Sequence, residues 1–181
     1  MHQIPKTNVP EAWKSLVIRK PQDLDERTCL KFSHTLAYLC LSDTKLRMVP
    51  EFLFSRLPNL RWLDLRTNRL KSLPFSIQTH PSLNTLLIDE NVFDRLPVYL
   101  AVVPYLSHVT FRDNILQFPS EEVLSKGWVE IKQYLLNYMK KNTEEEVKLI
   151  RKLRYLCPIA SRQIKFKTAQ DSNNQKEATH L

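Results

Sequence analysis

LRWLDLRTNRL (60–70), LNTLLIDENVF (83–93) and LSHVTFRDNIL (106–116) are one eleven-residue frame written three times, each copy 23 residues after the last. Each reads apolar-x-x-apolar-x-apolar-x-x-Asn-x-apolar, with the asparagines at 68, 91 and 114. A period above about twenty residues marks a solenoid, in which no repeat folds alone and stacked neighbours share one core. Leu63 and Leu65, Leu86 and Ile88, and Val109 and Phe111 alternate as the inward side of a short strand does. Stacking the frames pairs those strands in parallel. An asparagine in a tight turn bonds backbone groups with both its carbonyl and its amide. Asn68, Asn91 and Asn114 therefore predict a structural ladder that satisfies backbone otherwise buried without partners. Pro74 and Pro97 follow Leu73 and Leu96; lacking an amide, they suit the returning convex side.

A weaker frame lies upstream, in Leu36, Leu39, Leu41, Thr44, Leu46 and Val49-Pro50, with 24 residues from Leu36 to Leu60. Thr44 stands where the others have Asn, which predicts a less ordered edge. The third copy departs at its end: Pro119 comes one residue early, in LQFPSEEVLSKGWVEIKQYLLNYM (116–139).

These frames resemble the leucine-rich repeat. The shortened last repeat, the Lys126-Gly127-Trp128 run and the amphipathic stretch after it are similar to the end of the animal and plant intracellular leucine-rich repeat proteins. The resemblance covers residues 36–140 and implies a non-catalytic protein. The expected fold is an α/β leucine-rich repeat solenoid with about four repeats, short parallel strands on the concave face, a helical C-terminal cap and a flexible tail. Residues 1–33 are assigned to an N-terminal cap region, 34–126 to the repeats, 127–157 to capping and basic helices, and 158–181 to a disordered tail.

At 181 residues with 43% hydrophobic content, the chain suits one modest domain. Its single glycine, Gly127, reads as a helix boundary and argues against a glycine-rich phosphate loop. The N-terminus has no apolar stretch of signal-peptide length, and no segment approaches a membrane span. Cys29, Cys40 and Cys157 are odd in number and far apart, unlike paired caps or zinc ligands. They predict reduced thiols in a cytoplasmic or nuclear protein.

The exposed core at each end of a solenoid must be closed. Trp128, Ile131, Leu135, Tyr138 and Met139 share one helical face and are expected to cap the C-terminal end. Trp13, Leu16 and Val17, on a short helix after Pro10, are expected to close the front.

Side chains between the inward residues of each strand line up in columns on the concave face. One column reads Tyr38, Trp62, Thr85 and His108; the next reads Cys40, Asp64, Leu87 and Thr110. Ser42, Arg66, Asp89 and Arg112 follow, with Asp43, Thr67, Glu90 and Asp113 beyond. Arg66, Asp89 and Arg112 alternate in sign and are placed to pair across strands. Read blandly, this is a self-satisfied surface ladder worth little. Read functionally, Trp62, Asp64, Arg66, Leu87, Asp89, His108 and Arg112 form a protein-binding site anchored by exposed Trp62 and Leu87. Trp and Arg dominate binding energy at interfaces, and exposed apolar anchors need a reason.

Catalysis finds no support. The histidines at 2, 34, 80, 108 and 180 are scattered, with no Ser-His-acid order, no metal-ligand spacing and no paired carboxylates. No cofactor or metal is expected, and His108 with Asp113 reads as an ordinary surface pair.

The chain end is the other informative region. From residue 147 on there are eight basic and two acidic residues, so six of the eight net positive charges lie there. Thr143 before Glu144, Glu145 and Glu146 reads as a helix start, and Val147, Ile150, Leu153 and Leu156 as an apolar stripe ended by Pro158. A basic amphipathic helix of this kind binds calmodulin or an anionic membrane, or packs back on the cap. Arg162-Gln163-Ile164-Lys165-Phe166 matches the short basic-x-aliphatic-x-aromatic peptide that docks on phosphatase 1 by strand addition. In that alternative, Arg151, Arg154, Arg162, Ile164 and Phe166 carry binding and the repeats are scaffold. No specific nucleic-acid site is expected, because basic charge is not interleaved with aromatics across the sheet. The reading is a monomeric interaction module with a protein partner on its concave face.

Overall fold

A computed structural model of the chain describes residues 14–156, with side chains in the last helix described as far as Thr143. The three Asn-bearing frames each begin with a strand of three residues: β3 Trp62–Asp64, β4 Thr85–Leu87 and β5 His108–Thr110. The weaker frame supplies β2 Leu36–Cys40, and a further strand, β1 Lys14–Val17, precedes it. The five strands form one parallel sheet in chain order. Tyr38, Trp62, Thr85 and His108 stand in one register, and Cys40, Asp64, Leu87 and Thr110 in the next.

β1 corrects the expectation of a short helix around Leu16 and Val17. Without it, β2 would present a row of unpaired amides and carbonyls. β1 satisfies that edge, pairing Leu16 with Leu39 and Val17 with Cys40, and Ile18 N continues the ladder to Cys40 O at 2.9 Å. Closing a sheet edge by hydrogen bonds favours a strand over a helix there. Trp13 and Pro10 lie outside the described residues.

The inward residues form one continuous core. Leu60, Leu63, Leu65 and Leu70 of one copy, and Leu83, Leu86, Ile88 and Phe93 of the next, are fully buried. In the third copy Leu106 and Val109 are buried, but Phe111 and Leu116 only partly so, because no further repeat covers them. The convex return differs by repeat length. The first, one residue longer, holds the helix α2 Phe52–Arg56 after α1 Glu26–Phe32, whereas the next two make 3₁₀ turns at Phe75–Thr79 and Val98–Val102. Pro74 and Pro97 are the extended residues that start those turns, as their missing amides require. Tyr99 Oη donates to Leu73 O at 2.5 Å, and the Phe75 and Tyr99 rings meet edge to face.

The asparagine ladder is present. Asn91 Nδ2 donates to Leu65 O, Ile88 O and Asp89 O at 3.0–3.1 Å, while its Oδ1 accepts from Leu70 N at 3.0 Å. Asn68 and Asn114 make the same bonds one repeat before and after. Thr44 is buried in the ladder position and keeps one rung, its Oγ1 donating to Leu41 O at 2.9 Å and to Asn68 Oδ1 at 3.0 Å. The residue before each rung, Asp43, Thr67, Glu90 or Asp113, has φ between 53° and 57°. That left-handed turn lets the rung face the carbonyls, at a cost of about 1 kcal/mol for a residue with a side chain.

His80 ties two repeats together. It occupies the position held by Leu57 and Val103 in the neighbouring returns, and like them it is buried. Its Nε2 lies 3.0 Å from Leu57 O, and its Nδ1 accepts from Ser82 N and Leu83 N at 3.3 and 3.0 Å. Those partners fix the neutral imidazole with the proton on Nε2. Burial pushes the His80 pKa down, partly opposed by the Leu57 carbonyl. The unfolded chain takes up this proton near pH 6.5 and the folded chain only below that. The stability His80 contributes is therefore complete above about pH 6.5 and is lost as pH falls toward the folded pKa. Urea midpoints are expected to drop between pH 7 and about pH 5, above the main carboxylate range. In His80→Gln that drop should shrink; an equal drop in both proteins would exclude His80 as its source.

A compact unit runs as far as Asn137, and a second begins at Tyr138. After the short helix α3 Glu121–Leu124, the helix α4 Trp128–Leu156 is continuous. Thr143 therefore starts no new helix. Its Oγ1 donates to Met139 O at 2.9 Å, an i−4 bond within α4, and no proline or glycine between 129 and 156 interrupts the helix. Gly127, with φ 91°, marks the entry to α4 as its boundary reading predicts. Trp128, Ile131 and Leu135 are buried in the core, whereas Tyr138 is 38% exposed and Met139 half-buried. Trp128 Nε1 donates to Leu106 O at 3.2 Å, and Lys132 Nζ to Val103 O and Leu106 O at 3.3 and 3.2 Å. The carbonyls at the end of the stack thus find donors on α4.

Candidate functional site: the concave sheet face

Three-residue strands bring one residue of each of two columns onto the open face, and the residues just past the strands add the third. Asp64, at the end of β3, is 1% exposed. Its carboxylate accepts from Arg66 Nε at 3.0 Å, from Arg66 Nη2 at 2.7 Å and from Arg66 N at 3.1 Å. This two-pronged bond is the main reason the Arg66 guanidinium pKa is raised, with Asp89 a lesser contributor. Asp89 in turn accepts from Thr110 Oγ1 and, at 2.7 Å, from Arg112 N.

The cross-strand pairing expected among Arg66, Asp89 and Arg112 is absent for a local reason. Arg66 reaches a buried carboxylate two residues back on its own chain segment. Asp89 is occupied by a hydroxyl and a backbone amide. Two polar side chains are consequently left over: Arg112 and His108 are exposed, and neither has an ion pair or side-chain hydrogen bond among the described residues. His108 and Asp113 form no pair either.

The apolar anchors also sit differently from expectation. Leu87 is 7% exposed and Trp62 is half-buried, so neither stands proud of the sheet. Strands about 4.8 Å apart give each side chain close lateral neighbours, and Leu87 lies in register between Asp64 and Thr110. Leu87 forms the floor of a shallow depression of about 500 Å³ bounded by Arg66, Asp89, His108, Arg112 and Asp113. Beside it the rings of Trp62 and Tyr38 meet at 6.0 Å. Burial pushes the Tyr38 hydroxyl up to about 12, with Cys40 and Asp64 adding to the effect. Trp62 Nε1 is buried and has no acceptor among the described residues.

Among the described residues His108 makes no ion pair with an acid, and no three His, Cys, Asp or Glu side chains gather to hold a metal. No described helix is long and apolar enough to cross a membrane. Cys40 Sγ lies 3.2 Å from Ser42 Oγ, and Cys29 and Cys40 are both buried free thiols. Burial pushes the Cys29 thiol up to about 11. Of the alternative tail site, Arg151 and Arg154 lie on α4 with side chains outside the described part, and Arg162, Ile164 and Phe166 lie outside the described residues.

Residues 34–93 match the family described as leucine rich repeat. Among solved structures the chain is similar to a leucine-rich repeat protein of Leptospira interrogans, with 27% identity over 55% of this chain and 25% of that one, at a TM-score of 0.49. It is also similar to human trophoblast glycoprotein, or Wnt-activated inhibitory factor 1, with 29% identity over 45% of this chain and 31% of that one, at a TM-score of 0.39. The chain therefore spans between a quarter and a third of those two proteins. The family match falls on the very segment whose rungs and strands repeat: residues 34–93, and by their geometry the copy that follows, are leucine-rich repeats folded as an α/β solenoid.

Proposed function

We propose that this chain is a non-catalytic protein-interaction module that binds a protein partner on its concave face. The carrying observation is the unspent recognition capacity around the Leu87 depression. There the Arg112 guanidinium and the His108 imidazole are exposed, and neither has a side-chain partner among the described residues. A partner that offers a carboxylate to Arg112 and a hydrogen-bonding group to the His108 imidazole would satisfy both. Aromatic and Arg anchors of this kind concentrate interface energy, and solenoids present such concave sheets as binding surfaces. Residues 52–106 resemble leucine-rich repeat-containing protein 27, a non-catalytic protein, which supports the same reading. The free thiols of Cys29 and Cys40 suit a reducing compartment, cytoplasmic or nuclear.

Arg66 is a poor probe of this surface, because reversing it would strand the buried Asp64 charge. The informative variant is His108→Glu/Arg112→Glu, at two exposed positions that hold no other side chain. Affinity capture from native lysate, read by mass spectrometry, should show a partner bound by the full chain and depleted at least about tenfold on the variant. Urea midpoints of the two proteins should agree. Undiminished capture by the folded variant would remove the concave face from consideration.

A further inference from the structure

Past each ladder position the chain climbs along the side of the solenoid, and adjacent climbing loops are joined by backbone bonds. Arg69 N donates to Leu46 O at 2.8 Å, and Val92 N to Leu70 O at 3.1 Å. Leu46 and Leu70 enter the core. The residues on either side of them point out: Lys45 and Arg47 on the first loop, Arg69 and Lys71 on the second, all four exposed. Lys45 has φ 61°, a left-handed conformation that a residue with a side chain seldom adopts. Chains joined in this way stand about 5 Å apart. The result is a two-by-two grid of cations.

Among the described residues no ion pair engages it. The ion pairs there are Arg56–Glu26, Arg66–Asp64 and Lys126–Glu122, none of which involves the grid. Acids border it without entering: Asp43 lies before Thr44, and Asp94 lies one repeat beyond Lys71. Arg19 and Lys20, just after β1, add exposed positive charge in the neighbouring segment. Four like charges this close repel one another, so the face gains from any anion that docks there.

We propose that this grid is a second docking surface, separate from the concave depression, for an extended acidic segment of a partner protein. Charge favours that occupant: four cations on two adjoining loops call for several carboxylates together, which an acidic segment supplies. A bilayer surface calls for a broad amphipathic face, and the grid has only Met48 as an exposed apolar neighbour in its own loops. Single-stranded nucleic acid calls for aromatic platforms, and none of the loop residues 45–48 or 69–72 is aromatic.

The test uses the full chain and a fluorescent peptide of alternating serine and glutamate. Arg47→Glu/Lys71→Glu is compared with Lys140→Glu/Lys141→Glu, which makes the same change of net charge at exposed positions on α4. At low salt the grid variant should bind the peptide about tenfold more weakly. The α4 variant should stay within about twofold, and binding by the unaltered chain should weaken as salt is added. Equal losses in both variants would assign the effect to net charge and overturn the proposal, as would no loss in either. Phosphatidylserine vesicles and single-stranded DNA serve as the other probes; a loss confined to one of them, with peptide binding intact, also overturns it. Should the charge-reversed variant fail to fold, Arg47→Gln/Lys71→Gln replaces it, with a loss of about threefold expected and none counting against the proposal.

Discussion

Replacing Asn68 by alanine is expected to destabilise the protein by about 3–5 kcal/mol, because several buried backbone groups lose partners together. Asn68 Oδ1 accepts from Thr44 N, Thr44 Oγ1 and Leu46 N, and its Nδ2 donates to Leu41 O, Leu65 O and Arg66 O. These groups belong to two successive repeats, so the loss should act on the stack and not on one turn. The effect should shrink along the ladder, since Asn91 has no threonine partner and Asn114 is only partly buried. Asn68→Asp separates hydrogen bonding from cavity formation, because it keeps the volume but turns a donor into a carboxylate oxygen facing three carbonyls. Urea denaturation checks both variants. A midpoint for Asn68→Asp close to that of the parent would mean that the amide donor does not hold the repeats together.

The second large effect is expected at the end of the stack. Trp128→Ala should cost about 3–5 kcal/mol, the range for truncating a buried large aromatic. It removes the ring that closes the last repeat and also the donor to Leu106 O. Trp128→Phe keeps most of the apolar area and loses the hydrogen bond, so about 1 kcal/mol is expected. Thermal unfolding of the pair distinguishes closure of the core from satisfaction of a carbonyl. If Trp128→Ala melts with the parent, α4 does not cap the solenoid.

The fold was legible because its period is long and its rungs are asparagines. Leu63, Leu65, Leu86 and Ile88 state the strand direction, and Asn68, Asn91 and Asn114 state the register. What the sequence hid were features that depend on neighbours. Asp43, Thr67, Glu90 and Asp113 share a left-handed backbone, but neither glycine nor asparagine marks the position. β1 looked like a helix start, because its reason for being a strand is the open edge of β2 and not its own residues. His80 is the exception that a careful alignment of the repeats would have found: it is polar where Leu57 and Val103 are apolar, at the same register.

The concave site was legible as a set of columns and not as a set of interactions. Alternating signs at 66, 89 and 112 suggested a chain of ion pairs, yet the carboxylate of Asp64, two residues back in the same repeat, captured Arg66. Periodicity says which residues face outward; it does not say which neighbour each will choose. That choice leaves the His108 and Arg112 side chains without partners among the described residues, and the proposed contact therefore centres there and not on Arg66. The cation grid on the climbing loops was not legible, because basic charge along the sequence is densest after residue 147. Lys45, Arg47, Arg69 and Lys71 are dispersed along the chain and meet only when the repeats stack.

The most direct test of the account is photo-crosslinking from a single photoreactive residue placed in turn at His108 and at Phe75. Both positions are exposed, the first on the concave face and the second on the convex 3₁₀ turn. The account predicts that the captured partner crosslinks from position 108 and not from position 75. Crosslinking from position 75 alone would contradict it and place the partner on the convex side.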